Sequence, residues 1–244
     1  MKVIFIAWQD PETRRWHTVG RLTQEAGYYE FVYTRGALRS PRFTYLGRMI
    51  DLRKRYMSEA LFPLFANRLL DRSRPEYPEY IRWLGVTQDE NDPMSLLARS
   101  GGSRATDDLC VYPAPEPNPQ GNVELFFFSH GVRYLNEHSL RRLAQLAPGE
   151  RLYLRPEDDN AYDRYALVVE SGDPVTLGYC PQYLTRDLRR VLRVSEVRLT
   201  VEKVNSDAPL QFRLLCKAVF ANPIGFHLLA GDENLPLAQE AVAA

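Results

Sequence analysis

The stretch that most constrains this chain runs from Gly131 to Pro181, GVRYLNEHSLRRLAQLAPGERLYLRPEDDNAYDRYALVVESGDPVTLGYCP. A strand is expected to end in Gly131-Val132-Arg133-Tyr134, followed by a short helix over 137–146. An alternating strand over 151–155 then leads into an acidic, polar turn, Pro156-Glu157-Asp158-Asp159-Asn160-Ala161-Tyr162-Asp163. Two further strands, 166–170 and 175–180, are joined by Ser171-Gly172-Asp173, a strong hairpin signal. A small β-rich unit with one helix between its strands is therefore expected here.

The same residues carry a resemblance. Gly131, Arg133-Tyr134, the run from Arg155 to Asp163 with its Asn160-Ala161-Tyr162-Asp163, then Ala166, Leu177-Gly178-Tyr179 and Pro181 fall in the order and spacing of a family pattern. The stretch resembles the HIRAN domain, a module of fork-remodelling ATPases and of free-standing bacterial proteins. The resemblance covers 122–220, under half the chain. It implies a modified OB-like β-barrel that captures the 3′ end of single-stranded DNA.

The chain's 244 residues allow one large domain or two small ones, each able to bury its own core. With 45% hydrophobic and 25% charged residues, the composition is that of an ordinary globular protein. No apolar run approaches the roughly 20 residues of a membrane span. The apolar start at Val3 is too short for a signal peptide and is interrupted by Gln9-Asp10, so it reads as a first strand, and a cytoplasmic location is expected. Cys110, Cys180 and Cys216 are widely spaced in strand patterns, no C-x-x-C occurs and the histidines form no H-x-x-x-H pair. Buried reduced thiols are expected, and neither a zinc site nor any cofactor. The formal net charge of zero argues against a protein that coats long nucleic acid, while leaving room for a small local site.

The fold class expected is α+β: an N-terminal β-meander with helices, then an OB-like β-barrel with two short helices. Strands over 3–8, 15–22 and 28–34 form the meander, and 36–48 reads as irregular and arginine-rich. Helices are expected over 60–70 with Pro63 in the first turn, from Pro75 to Leu84, and over 93–99 with Asp92 as cap. The element 109–112 fits either half. The proline-dense 111–121 reads as an extended linker, dividing an adaptor domain of 1–110 from a barrel of 122–228, with 229–244 as a soft tail. Within the barrel, Val123 to His130 with its Phe126-Phe127-Phe128 should be buried on both faces, 183–192 should be a helix, and 194–204 and 210–220 should be closing strands. The N-terminal region, through Phe31-x-Tyr33 and Leu61-Phe62-Pro63-Leu64-Phe65-x-Asn67-x-Leu69-Leu70, is also similar to the small N-terminal subdomain of HipA-type toxin kinases. That resemblance implies docking or regulation, since the kinase core is absent.

A site for a free 3′ end needs aromatic faces for bases, donors for phosphate and an acceptor for the terminal hydroxyl. The HIRAN resemblance assigns these to Arg133, Tyr134, Asn160, Tyr162, Asp163 and Tyr179. Arg133 and Tyr134 would contact the end nucleotides, Tyr162 would stack, and Asp163 would accept from the 3′-hydroxyl and repel a 3′-phosphate. Read without the family, an Arg-Tyr pair is an ordinary surface feature, and Asn160 and Asp163 make a structural turn by bonding their own backbone. Asp158, Asp159 and Asp163 could alternatively hold Mg²⁺ for a nuclease. No G-x-x-x-x-G-K-[ST] or G-x-S-x-G occurs, so the expectation is a non-enzymatic protein whose partner is single-stranded DNA with a free 3′ end. The competing expectation is an interaction module that meets a protein partner through 1–110, with the barrel as scaffold.

Overall fold

The computed structural model describes residues 1–104 and 108–238. Contacts divide them into two units, one of residues 1–80, 86–104, 108–114 and 229–238, the other of 81–85 and 115–228. Both units mix sheet and helix, so the chain is α+β.

In the first unit β1 (Lys2–Gln9), β2 (Trp16–Glu25) and β3 (Tyr28–Tyr33) form the expected antiparallel meander. The first turn is held by Asp10, whose Oδ1 accepts from the backbone N–H of Glu12 and Thr13 at 3.0 Å each. Two strands extend the meander. β4 (Tyr56–Ser58) lies beside β3, and β5 (Leu109–Pro113), which the sequence leaves open between the halves, pairs with β1 through Ile6 and Val111. The core centres on Phe31, with the rings of Tyr33 and Phe65 at 4.9 and 5.8 Å, packed against Ile4, Ile6 and Leu22.

The helix expected over 60–70 shrinks to a single turn, α1 (Pro63–Ala66). Pro63 stands at its start, where the missing N–H is tolerated, and the chain beyond it tightens into i→i−3 bonds from Arg68 and Leu69. α2 (Tyr77–Leu84) and α3 (Pro93–Ser100) follow, and Asp92 caps α3 by accepting from Met94 N and Ser95 N at 3.1 and 3.2 Å. Residues 232–238, expected to be soft, instead lie against β3. Arg35 N donates to Leu235 O and Leu237 N to Tyr33 O, both at 2.8 Å, so backbone groups at the strand end find partners. Residues 239–244 of that expected tail lie outside the described residues.

The second unit contains β6 (Asn122–Phe128), β7 (Arg151–Pro156), β8 (Leu167–Glu170), β9 (Thr176–Tyr179), β10 (Arg198–Val204) and β11 (Leu214–Ala221). They form one antiparallel sheet in the order β6-β11-β10-β7-β8-β9. The sheet curls into a half-barrel around Val123, Leu125, Phe127, Leu152, Val169 and Leu199. Its two edges meet where His130, just past β6, exchanges backbone hydrogen bonds with Tyr179 of β9 at 2.9 Å each way. Gly178 permits that closure. Its φ is +122°, and a Cβ there would sit 2.2 Å from Ser129 Oγ and 2.5 Å from His130 O.

Three local expectations shift. Phe127 and Phe128 are buried, but Phe126 stays partly exposed with Lys217 Nζ 5.3 Å above its ring. β10 begins at Arg198 because Val194 and Ser195 still bond back to Val191 O, at the end of α5 (Gln182–Val191). β11 begins at Leu214 because Pro209 opens a 3₁₀ turn over Leu210–Phe212. α4 (Glu137–Ala144) is capped by Asn136, which accepts from Ser139 N at 2.9 Å. Residues 81–85 belong to this unit through Asn205, which donates to Trp83 O at 2.9 Å, and Trp83, which donates to Asp207 at 3.3 Å. No described helix is long and apolar enough to cross a membrane.

Candidate nucleic-acid interface

The loop between β7 and β8 is built from its own side chains. Glu157 N donates to Ala166 O at 3.0 Å and Ala166 N to Asp163 O at 2.9 Å, which closes the hairpin. Inside it Asn160 Oδ1 accepts from the N–H groups of Tyr162 and Asp163, both at 3.0 Å, and Asn160 Nδ2 donates to Glu157 at 2.6 Å. Asn160 therefore makes the structural turn that an Asx residue favours. The consequence for Tyr162 is exposure, since its side chain stands 88% accessible at the loop tip. Burial does not explain a tyrosine there.

Asp163 faces helix α5. Its Oδ1 accepts from Tyr165 N at 2.8 Å, and its Oδ2 lies 2.9 Å from the Thr185 hydroxyl. That hydroxyl is also 2.9 Å from Gln182 O, and its single proton cannot serve both acceptors fully. Oδ2 of Asp163 thus keeps acceptor capacity for a further donor. Arg189 of α5 fastens the same loop by donating to Tyr165 O at 3.0 Å, to Ala166 O at 2.7 Å and to the Asp158 carboxylate.

Arg133 and Tyr134 occupy a one-turn 3₁₀ helix, Val132–Tyr134, and not the strand end expected for them. Gly131, at φ +75°, turns the chain out of the strand, and Tyr134 N donates back to Gly131 O at 2.9 Å. The Arg133 guanidinium lies 4.6 Å over the Tyr134 ring and donates to its hydroxyl. Tyr134 is 75% exposed.

Tyr179 joins these two segments. Beside Gly131 its ring is close enough that a Cβ there would come within 3.3 Å, and its hydroxyl lies near the Glu157 carboxylate. Burial, followed by the neighbouring Glu157 charge, raises the Tyr179 phenol above its ordinary value. Glu157 thus accepts from Asn160 and lies near Tyr179, between the Gly131 segment and the 157–166 loop. Sequence reasoning missed that role. Glu157 lies in the matched run, but nothing in its neighbours along the chain shows that it lies between two distant segments. Arg155, also in that run, donates to Glu170 at 2.7 Å.

The acidic cluster does not converge. Asp158 is held by Arg189 and Asp163 by Tyr165 N, and among the described residues no group of three or more His, Cys, Asp or Glu is placed to hold a metal. Burial raises the thiols of Cys180 and Cys216, which are unpaired and hold no nucleophilic thiolate.

Fold and rim together define a small β half-barrel with exposed rings on two segments beside its seam. Residues 122–221 match the HIRAN domain family, so the second unit carries a HIRAN domain, a binding module. Two solved structures resemble the chain. The crystal structure of the HIRAN domain of human HLTF is 18% identical over 42% of this chain and 81% of that one, with a TM-score of 0.33. A protein from Lactobacillus plantarum is 19% identical over 41% of this chain and 97% of that one, with a TM-score of 0.35. No curated protein matches the chain.

Proposed function

We propose that the HIRAN domain binds single-stranded DNA without catalysis and captures a free 3′ end at the 157–166 loop. The observation that carries this reading is Tyr162, an 88% exposed ring held on a turn stiffened by Asn160, Glu157 and Arg189. Tyr162 and Tyr134 offer the stacking faces, Arg133 the phosphate contact, and the Asp163 carboxylate the acceptor for a terminal hydroxyl. Asn160 and Tyr179 act as framework for these groups. Stacking contributes about 1–3 kcal/mol per base, so a site of this size gives modest affinity. Such a protein would serve in the handling of DNA ends, as in repair, inside the cytoplasm.

Fluorescence anisotropy with one short oligonucleotide, ending in a 3′-hydroxyl or a 3′-phosphate, tests the reading. The hydroxyl form should bind tighter, and Asp163→Ala should erase the difference. Equal binding of both forms to the wild type would remove end capture. The competing reading, a regulatory module that meets a protein through residues 1–110, draws support from Ile50 and Met57, apolar and exposed at 69% and 60%. Under that reading Tyr162→Ala and Arg133→Ala leave every function intact.

A further inference from the structure

The outward face of β7 connects the 157–166 loop to a second feature of the same domain. Leu152 is in the core and pairs with Leu199 of β10, so Arg151, Tyr153 and Arg155 alternate onto the opposite, outer face. Tyr153 is 50% exposed, with the Arg151 guanidinium 5.8 Å from its ring centre. At the far end from the loop, Arg151 lines a cleft together with Arg198, Thr200, Glu196 and Asn122. Arg151 donates to Glu196 at 2.8 Å, whereas the Arg198 side chain has no carboxylate partner among the described residues. Arg155, at the near end, holds Glu170 and is followed within two residues by Glu157 of the loop. Arg151 and Arg155 face Glu196, Glu170 and Glu157, the last 4.0 Å from Arg155, so Arg198 is the arginine of the strip without a carboxylate partner among the described residues.

We infer that this strip is a second subsite, which carries the single strand behind its captured end. Tyr153 offers a base-stacking face and the Arg151–Arg198 cleft takes a backbone phosphate. The inference rests on the end-capture reading for its direction, with the 3′ terminus at the loop and the 5′ body running along β7 to the cleft. At about 3.3 Å per residue, Arg151 and Arg155 stand roughly 13 Å apart, enough for more than the terminal nucleotide. The surface ion pairs of Arg151 and Arg155 are weak enough to be exchanged for phosphate, and Arg198 needs no such exchange. Stacking on a tyrosine tolerates any base, so the strip adds affinity and no sequence preference.

The test uses the full chain and anisotropy with a labelled trinucleotide and a labelled decanucleotide, each with a 3′-hydroxyl or a 3′-phosphate. The decanucleotide should bind about ten-fold tighter than the trinucleotide, and Tyr153→Ala should remove most of that gain without weakening the trinucleotide. Arg198→Ala should lower the salt slope of the decanucleotide by about 1, with Arg198→Lys restoring it. Both side chains are outward-facing, and an unchanged melting temperature would show the variants folded. Equal affinity for the two lengths, or variants that weaken both lengths alike, would overturn the strip. In that outcome a surviving hydroxyl preference on the trinucleotide keeps end capture standing alone. A length gain without hydroxyl preference keeps the strip and removes end capture, and binding of neither oligonucleotide removes both.

Discussion

The two units pair their arginines with carboxylates alike but place their aromatic rings differently. In the first unit the core is aromatic, with Phe31 fully buried and edge-on against Tyr33, while Tyr28 and Tyr45 stay exposed at 48% and 50%. Many of its arginines are held by carboxylates, as in Arg35 and Arg39 with Asp232, Arg42 with Asp10 and Glu12, and Arg55 with Glu30. In the second unit the core is aliphatic, built on valine and leucine with Phe127, and two tyrosines are left on loops in solvent. A ring that packs nothing is available to pack a ligand. The two most exposed aromatic rings, Tyr162 at 88% and Tyr134 at 75%, both lie in the second unit.

That contrast predicts where substitutions act. The largest effects should fall on folding. Gly178→Ala combines backbone strain with overlap on Ser129 and His130, each worth about 1–3 kcal/mol, and should lower the urea midpoint of the barrel and abolish DNA binding with it. Phe31→Ala should cost about 3–5 kcal/mol in the first unit, measured by denaturation, and should leave oligonucleotide binding by surviving folded protein unchanged. If Phe31→Ala weakened binding in folded protein, the division of labour between the units would be wrong.

Tyr162→Ala is the mirror experiment. It should leave the melting temperature within a degree or so, as exposed substitutions do, and weaken oligonucleotide binding by about ten-fold. A loss of stability comparable to that of Phe31→Ala would mean that the ring is structural after all.

An acid effect should single out the first unit. The Ser40 hydroxyl donates to Asp10 at 2.6 Å, the Thr13 and Glu12 N–H groups add to it, and Arg42 lies nearby, so the Asp10 carboxyl is held well below its ordinary 3.8. A carboxylate with a depressed folded-state pKa contributes stability that is fully present above the ordinary value and is lost as the pH falls below it. Hydrogen exchange at β1 and β2 should accordingly accelerate below about pH 4. In Asp10→Asn that acid dependence should flatten. The smallest effect is expected for Arg39→Ala, whose exposed pair with Asp232 contributes at most about 1 kcal/mol, and no change in oligonucleotide binding should accompany it.

The sequence alone determined the class of the fold and the identity of the domain, because both depend on local pattern. Alternation laid out β1 to β3 and most of the second sheet, Asp92 announced α3, and the Asn160-Ala161-Tyr162-Asp163 and Leu177-Gly178-Tyr179 runs marked the HIRAN domain. Local pattern also supplied the Asx turn of Asn160, made with neighbours two and three residues away. Elements that depend on distant partners were not legible. The placement of 232–238 along β3, the one-turn helix at Arg133-Tyr134 and the start of β10 each depend on where backbone groups find acceptors after the chain has folded. Glu157 between two segments, Arg189 as a clamp and the meeting of Arg151 with Arg198 in one cleft belong to the same kind. A side chain's reach along the chain is a few residues, whereas these contacts join residues that only the curling of the second sheet brings together.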